Sequence, residues 1–382
     1  MAKRAKIEEI QYLRGFAFLA VVLQHAIGHY AYLPEAGLQD GVLLGILLIA
    51  SKFAVPLFIF ITGLVLFYNY RDPVSYGSFL RKRCKDIVLP YAVWTVVYGL
   101  LFGGDHGTAW AWIKQFVLDL FTGKASYHLW YVVMVIQLYI VFPWLQPLLL
   151  RIHKSLKSWQ LTAWFIVLAA FYVWLTGQVS VIGSAAEKLQ LPVLTPFFTE
   201  YADRNALYFY LYFLMGAAAG LNLESWKTKI MSWKACWLGL FTIVSGILLY
   251  QMAASFRTDA GIVIQFNNTL LVQPFMALFL SLSVVAMCIV SVVFERSAGP
   301  RMKRMLTVLG HYSYSAYLAH ALLLNPATLA ADWALPGWNA TLKTLAAFAV
   351  CTLLSVGLAV LLGKFSLGRL LSGIPAPRKS AA

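Results

Sequence analysis

The sequence predicts an all-α integral membrane protein, a bundle of about ten transmembrane helices with both termini in the cytoplasm. The first observation is composition: 61% of the 382 residues are hydrophobic and only 12% are charged, whereas soluble domains average about 45–50% apolar and about 25% charged residues. The second is the recurrence of apolar runs about 20 residues long, enough to cross a bilayer. The third is the placement of the basic residues between those runs.

The predicted membrane spans follow one another along almost the whole chain. They lie near residues 11–32, 43–68, 86–103, 128–150, 159–181, 206–222, 234–254, 270–294, 305–325 and 341–363. The opening MAKRAK leads into the first span without a small-residue cleavage site, so we expect this span to be retained and not removed as a signal peptide. The mean hydropathy of +0.73 agrees with a multi-pass protein of the cell membrane.

The basic residues determine the expected orientation. With the N-terminus inside, 22 of the 30 lie in cytoplasmic segments and six in outer segments, while Arg14 and Lys52 fall within spans. Such a bias follows the positive-inside rule. The cytoplasmic group is Lys3, Arg4, Lys6, Arg71, Arg81, Lys82, Arg83, Lys85, Arg151, Lys154, Lys157, Lys227, Lys229, Lys234, Arg296, Arg301, Lys303, Arg304, Lys364, Arg369, Arg378 and Lys379. The net charge of +15 therefore reflects topology, and we expect the lipid bilayer, not nucleic acid, as a partner.

The chain is expected to form one domain. Residues 1–370 would be a single transmembrane domain and residues 371–382 a short cytoplasmic tail. The longest outer segments, 103–127 and 182–205, are too short for a soluble domain and suit short interfacial helices or lids. The four cysteines are scattered singly, so we expect neither a metal site nor a disulfide framework.

Two polar residues stand out in the first span, YLRGFAFLAVVLQHAIGHY. Arg14 and His25 are eleven positions apart, which on an α-helix is three full turns plus about 20°. They therefore project from one helix face, with about 16 Å between them along the axis. A charged or titratable side chain inside a bilayer costs roughly 2.5–3.5 kcal/mol on insertion scales and is usually retained for function. Two structural interpretations remain open: Arg14 extends to the inner headgroups, and His25 is a hydrogen-bonded histidine between helices.

The first inner loop, SFLRKRCKDIVLPYAVW, places five basic residues just before a helix begins. One interpretation is a positive-inside anchor. The other is a binding site for phosphates supplied from the cytoplasm, because arginine and lysine are the usual partners of such groups. The residues alone leave both open.

Polar residues recur at matching depth in two later spans. His128 begins the fourth span from outside and is followed by Trp130 and Tyr131, whose alternative role is an aromatic belt at the interface. In the ninth span, LGHYSYSAYLAH forms one polar stripe from residues at positions i, i+4 and i+7, namely Ser313, Tyr317 and His320. His320 and His25 both lie about fifteen residues from the inner end of their spans. This convergence predicts a polar pocket in the outer half of the membrane.

In combination, these segments resemble the acyltransferase-3 family of integral membrane acyltransferases. The matching features are the arginine, ten residues, histidine pattern from Arg14 to His25, VPLFIFITG, KRCKDIVLPY, HLWYVV and LGHYSYSAYLAH, in the family's order over about residues 10–325. Two positions depart from the family's pattern: Thr62 stands where serine is common, and Asp86 stands where a second arginine is common. The second departure leaves a phosphate-binding role to Arg83 and its neighbours.

The resemblance implies ten helices and transfer of an acyl group, usually acetyl, from cytoplasmic acyl-CoA to a hydroxyl of an exported or cell-surface glycan or similar cell-envelope acceptor. It implies His25 and Arg14 as catalytic residues, with Arg14, Arg81, Lys82 and Arg83 binding the donor. His128, Trp130, Tyr131, Ser313, Tyr317 and His320 would support the pocket. No bound cofactor is expected, since acyl-CoA is a substrate. Two other classes remain open, an exporter of a glycan or small molecule and a ligand-binding sensor without chemistry.

Overall fold

The fold is almost entirely helical in the computed structural model, which describes residues 7–104, 107–259 and 261–374. Its α-helices are α1 (Glu8–Tyr30), α2 (Leu38–Ser51), α3 (Ala54–Asn69), α4 (Tyr76–Arg83), α5 (Leu89–Phe102), α6 (Ala109–Thr122), α7 (Trp130–Ser155), α8 (Ser158–Gly177), α9 (Val179–Leu189), α10 (Leu194–Phe198), α11 (Tyr210–Leu221), α12 (Leu223–Ser232), α13 (Lys234–Ser255), α14 (Pro274–Ser297), α15 (Pro300–Ala334), α16 (Ala340–Gly363) and α17 (Ser366–Ser372). A π-helical turn, Cys84–Val88, joins α4 to α5, and β1 (Arg257–Thr258) pairs antiparallel with β2 (Gly261–Ile262).

The all-α membrane class is confirmed. Eight helical segments of the described residues are long and apolar enough to span a membrane, and they correspond to the predicted first to fifth, seventh, eighth and tenth spans. The predicted sixth span is a helix pair, Ala206–Leu221 and Leu223–Ser232, bent by 108°. The predicted ninth span lies in α15, which has 35 residues but is less apolar than those eight segments. The count of ten and the orientation of the termini therefore stay predictions.

Some predicted features lie at the ends of the chain or between the spans. The basic residues Lys3, Arg4, Lys6, Arg378 and Lys379 and positions 375–382 of the predicted tail lie outside the described residues. The longest predicted outer segments do contain short helices, α6 in the first and α9 and α10 in the second. Thr108 caps α6 by accepting a hydrogen bond from the Ala111 amide.

The predicted second span is one apolar segment, Leu38–Asn69, with a short turn inside it. Its first half, α2, ends at Ser51, a turn contains Lys52 and Phe53, and α3 begins at Ala54. Pro56 explains the break, because proline has no N–H to donate to the carbonyl four residues earlier, at Lys52. The Gln24 side chain of α1 donates to the Ser51 carbonyl at 2.8 Å and so ties this break to the first helix.

Helices α3 and α11 approach each other at backbone distance. A Cβ atom added to Gly216 would lie 2.0 Å from the carbonyl oxygen of Phe60, so the two helices meet through a surface that only glycine allows. The hydrophobic effect does not drive helix association within lipid. Small residues at such interfaces instead allow close van der Waals packing between the helices.

We predict that Gly216→Val will destabilise the protein, because the added side chain must separate α3 from α11. The measurement is thermal unfolding of the detergent-solubilised protein, with Gly239→Val as the matched control. Gly239 is an exposed helix glycine with no atom within 4 Å of an added Cβ. An equal unfolding temperature for the two variants would contradict the close-packing interpretation.

Helix α1 lies in the interior of the bundle against α15, α16 and α3. Its contact with α15 is also at backbone distance, since a Cβ added to Gly310 would lie 2.0 Å from the Gln11 carbonyl oxygen. This close contact brings the polar residues of α1 next to those of α15.

Candidate functional site

Two groups of polar side chains lie along α1. The first is the histidine cluster, formed by His25, His128 and His320 from α1, the start of α7 and α15. The second is the arginine pair, formed by Arg14 of α1 and Arg83 of α4, which interact electrostatically. Each group contains one residue from the same face of α1, and these two residues, Arg14 and His25, are about 16 Å apart along the helix axis.

The three imidazole rings of the histidine cluster are in van der Waals proximity. The ring centroids of His25 and His320 are 5.1 Å apart, and those of His128 and His320 are 4.7 Å apart. The structure therefore brings together the three histidines that were predicted to converge. Their nitrogens are not arranged to hold a metal ion, nor are those of any other group of such side chains in the described part of the chain.

The hydrogen bonds of His320 determine which of its nitrogens carries the proton. Its Nδ1 atom lies 2.5 Å from the Tyr317 backbone carbonyl oxygen. A carbonyl oxygen only accepts hydrogen bonds, so Nδ1 must be the protonated nitrogen of the neutral ring, and Nε2 carries the lone pair. Within the described residues Nε2 is buried and has no partner.

His128 is oriented in a similar way by its neighbours. Its Nδ1 atom lies 3.1 Å from the Ser126 hydroxyl, and its ring also interacts with the Leu318 backbone. The Tyr317 hydroxyl donates to the His128 backbone carbonyl and joins α15 to the start of α7. Burying a polar atom without a partner is costly, so the unpaired Nε2 of His320 marks a place where a small donor such as water would be bound.

A cavity of about 530 Å³ opens onto the histidine cluster. His25 is half-buried and lines this cavity, and His128 reaches its wall. His320 is fully buried and lies behind His25 and His128. The further predicted pocket residues that line the cavity are Trp130, Tyr131 and Tyr317.

Ser313, like His320, does not line the cavity. It is buried one helical turn before Tyr317, and its hydroxyl donates to the Gly310 carbonyl at 3.0 Å. Its polar group is therefore satisfied within α15 and is not directed at a ligand.

The arginine pair lies at the other end of this face of α1. The Arg83 guanidinium carbon lies 5.1 Å from the ring centroids of both Phe79 and Tyr139. Arg14 interacts electrostatically with Tyr131 as well as with Arg83. Because Tyr131 also lines the cavity, it connects the two polar groups.

The arginine pair has no carboxylate partner within the described part of the chain. Two acidic side chains near this end of α1 are paired elsewhere: Glu9 pairs with Lys227 at 2.7 Å, and Glu295 pairs with Lys303 at 3.1 Å. Arg83 Nε is buried without a hydrogen-bond partner in the same part. Arg14 and Arg83 repel each other electrostatically, and a bound anion would reduce this repulsion.

Arg81 and Lys82 differ from Arg83 in their surroundings. Both side chains are exposed, whereas Arg83 is half-buried between aromatic rings and lies next to Arg14. Of the predicted basic block, the structure therefore brings only Arg83 to Arg14.

The structure adds residues that the sequence did not assign. The Tyr127 ring lies 4.7 Å from that of His25, and Tyr98 lies 5.4 Å from His128. Lys52 lines the cavity and interacts electrostatically with His25. Only Lys52 had a signal in the sequence, as a charge inside an apolar span.

Comparison with known proteins places the chain in one family. The acyltransferase-3 family model, described as an acyltransferase domain, matches residues 7–363 and therefore nearly the whole chain. No curated protein and no solved structure matches.

Proposed function

This chain belongs to the acyltransferase-3 family of membrane acyltransferases. From that premise we propose that it transfers an acetyl group from cytoplasmic acetyl-CoA to a hydroxyl of an exported or cell-surface glycan or similar acceptor. The observation that carries the proposal is the shared face of α1. Arg14 lies on this face toward one end, where it interacts with Arg83 of α4, and His25 lines the cavity toward the other end. This arrangement supports donor binding at the arginine pair and chemistry at His25.

The donor side of the proposal rests on charge. Coenzyme A carries phosphates, and guanidinium groups bind phosphate oxygens through planar, bidentate hydrogen bonds. Arg14 and Arg83 lack other anionic partners in the described residues, so phosphates would compensate both. The extended pantetheine arm of the donor would then run past Tyr131 and bring the thioester to His25.

The chemical step assigned to His25 is general-base catalysis. The acceptor hydroxyl transfers its proton to the unprotonated nitrogen of His25 as its oxygen forms a bond to the thioester carbonyl carbon. The tetrahedral intermediate then collapses with breakage of the carbon–sulfur bond, and the coenzyme A thiolate takes up the proton from His25. An imidazole suits this role because its ordinary pKa lies close to neutral pH.

The neighbouring groups would orient His25. His320 packs its ring against His25 from the buried side, and its orientation is maintained by the hydrogen bond to the Tyr317 carbonyl. His128 lies in the cavity wall near the place where the acceptor would bind. A covalent acyl-histidine intermediate is the mechanistic alternative, and acyl-labelled His25 in a peptide map of the quenched enzyme would demonstrate it.

The proposed direction of transfer requires the arginine pair to face the cytoplasm. Cys84 follows Arg83 directly and is exposed. In a Cys236→Ser variant of intact cells, an impermeant maleimide should therefore label Cys84 only after permeabilisation. Cysteines placed within 151–158 and 296–304 should behave in the same way.

The control for this topology is Glu35→Cys, in the exposed turn between α1 and α2, which should react from outside without permeabilisation. Labelling of segment 296–304 from outside would contradict both the orientation and the count of ten spans.

Transferase activity separates the proposed function from the exporter alternative. The purified protein in lipid nanodiscs, given acetyl-labelled acetyl-CoA and a panel of glycans, should transfer the label or slowly release free coenzyme A. An exporter would do neither, but in vesicles it would move a labelled glycan across the membrane. Absence of both transfer and thiol release with every acceptor would contradict the proposed function.

A further inference from the structure

Lys52 lies at the break of the second span. The turn that contains it separates α2 from α3, and the Gln24 hydrogen bond to Ser51 ties that turn to α1, one residue from His25. Lys52 consequently lines the cavity and interacts electrostatically with His25.

Two acidic residues at the cavity wall are already neutralised. Glu200 accepts a hydrogen bond from Lys124, and this bond lowers the pKa of Glu200. Asp203 pairs with Arg204 at 2.9 Å. Both acidic residues belong to the segment between α10 and α11, and each has its own cation.

The charge of Lys52 is therefore not compensated by the protein. Among the described residues its ammonium group has no ion pair. The other titratable groups of the cavity wall, besides the two paired acids, are His25, His128, Tyr131 and Tyr317. An ammonium group in a low-dielectric cavity is costly without a counter-charge. A bound anionic ligand would supply that counter-charge.

We propose that Lys52 determines acceptor specificity by binding an anionic group, a carboxylate or a phosphate, on the acceptor whose hydroxyl is acylated at His25. This inference rests on the proposed function, because it assigns the cavity to the acceptor. A sugar acid would supply a carboxylate, and a phosphorylated or lipid-linked sugar would supply a phosphate. The ammonium group binds either as a point charge, and its distance from His25 limits which hydroxyl is presented to the base.

The variant Lys52→Met tests this directly, because methionine retains much of the length and none of the charge. For an acceptor that carries the anion, kcat/KM should fall roughly 10- to 100-fold, the usual effect of a lost charged hydrogen bond. For the neutral analogue the loss should be much smaller, because only the electrostatic interaction between Lys52 and His25 is removed there. Lys52→Arg should recover part of the loss with the anionic acceptor. Lys114→Met removes the same charge from an exposed position of α6 outside the cavity and should change neither.

Binding measurements make the result independent of turnover. Ligand-observed NMR on the wild-type protein should detect tighter binding of glucuronate or of glucose 6-phosphate than of glucose, and the preferred one of the two acids identifies the anion. Lys52→Met should bind all three alike. Equal binding of the three by the wild type, or a preference that survives in Lys52→Met, would overturn the proposal.

Other outcomes distinguish this inference from the proposed function. An equal loss of kcat/KM for charged and neutral acceptors in Lys52→Met would overturn the proposal and assign the ammonium group to the reacting centre or to the structure. Preference for the anionic sugars without any acyl transfer or thiol release would support the anion site and contradict the transferase function.

Discussion

Replacing His25 with glutamine should reduce turnover by at least about 100-fold, because general-base catalysis contributes roughly 10²–10⁴-fold and glutamine cannot accept the proton. Glutamine retains the capacity to hydrogen-bond, so the variant should fold as the wild type does. His25→Ala should be equally inactive. The KM for acetyl-CoA should change little, since the arginine pair lies about 16 Å away along α1. The measurement is steady-state release of coenzyme A together with acyl transfer.

The matched control for His25 is His29→Gln. His29 lies one turn further along α1, is exposed, and does not line the cavity. Its replacement should leave turnover close to that of the wild type. If His25→Gln retains most of the activity, then His25 is a structural histidine between helices and the proton acceptor is another residue.

Replacing Arg14 with alanine should weaken acyl-CoA binding roughly 10- to 100-fold, the effect expected when a charged hydrogen bond to a phosphate is lost. Arg14→Lys should recover only part of the affinity, because lysine retains the charge but lacks the planar fork. Arg83→Ala should produce a similar loss. The double variant should lose less than the sum of the two single losses if both side chains bind the same phosphates. Calorimetric titration with acetyl-CoA measures each value.

Arg151→Ala is the control, because Arg151 is an exposed basic residue that is not part of the arginine pair. It should not change donor affinity. The apo form of Arg14→Ala should unfold at a temperature no lower than the wild type, since one of two mutually repelling charges is removed. Unchanged donor affinity together with lower stability in Arg14→Ala would favour the alternative in which Arg14 extends to the headgroups as an anchor.

The class of the fold was predictable because it follows from properties that each segment carries alone. An apolar run of about 20 residues requires its backbone polar groups to be paired internally, and in lipid a helix does this without reference to the rest of the chain. The spans of the described helices were accordingly anticipated to within a few residues in most cases. The bend between α11 and α12 was not, since it depends on what surrounds the interrupted backbone.

The candidate site was predictable in part for the same reason. Helical periodicity places Arg14 and His25 on one face, and counting from the span ends gives His25 and His320 a similar depth. Periodicity does not tell which neighbouring helix this face meets. The exposure of Arg81 and Lys82 and the enclosure of Arg83 therefore came only from the structure.

By itself, the sequence determined that this protein is a helical membrane protein and which side chains are anomalous within its spans. The tertiary structure decided which of those side chains meet. His25, His128 and His320 come from distant parts of the chain, and their rings are adjacent because α1 and α15 approach to backbone contact at Gly310. Lys52 lines the same cavity, and the neighbouring Ser51 carbonyl accepts a hydrogen bond from Gln24 of α1. Such contacts depend on the distances and rotations between helices, which are properties of the packed bundle and of no single segment.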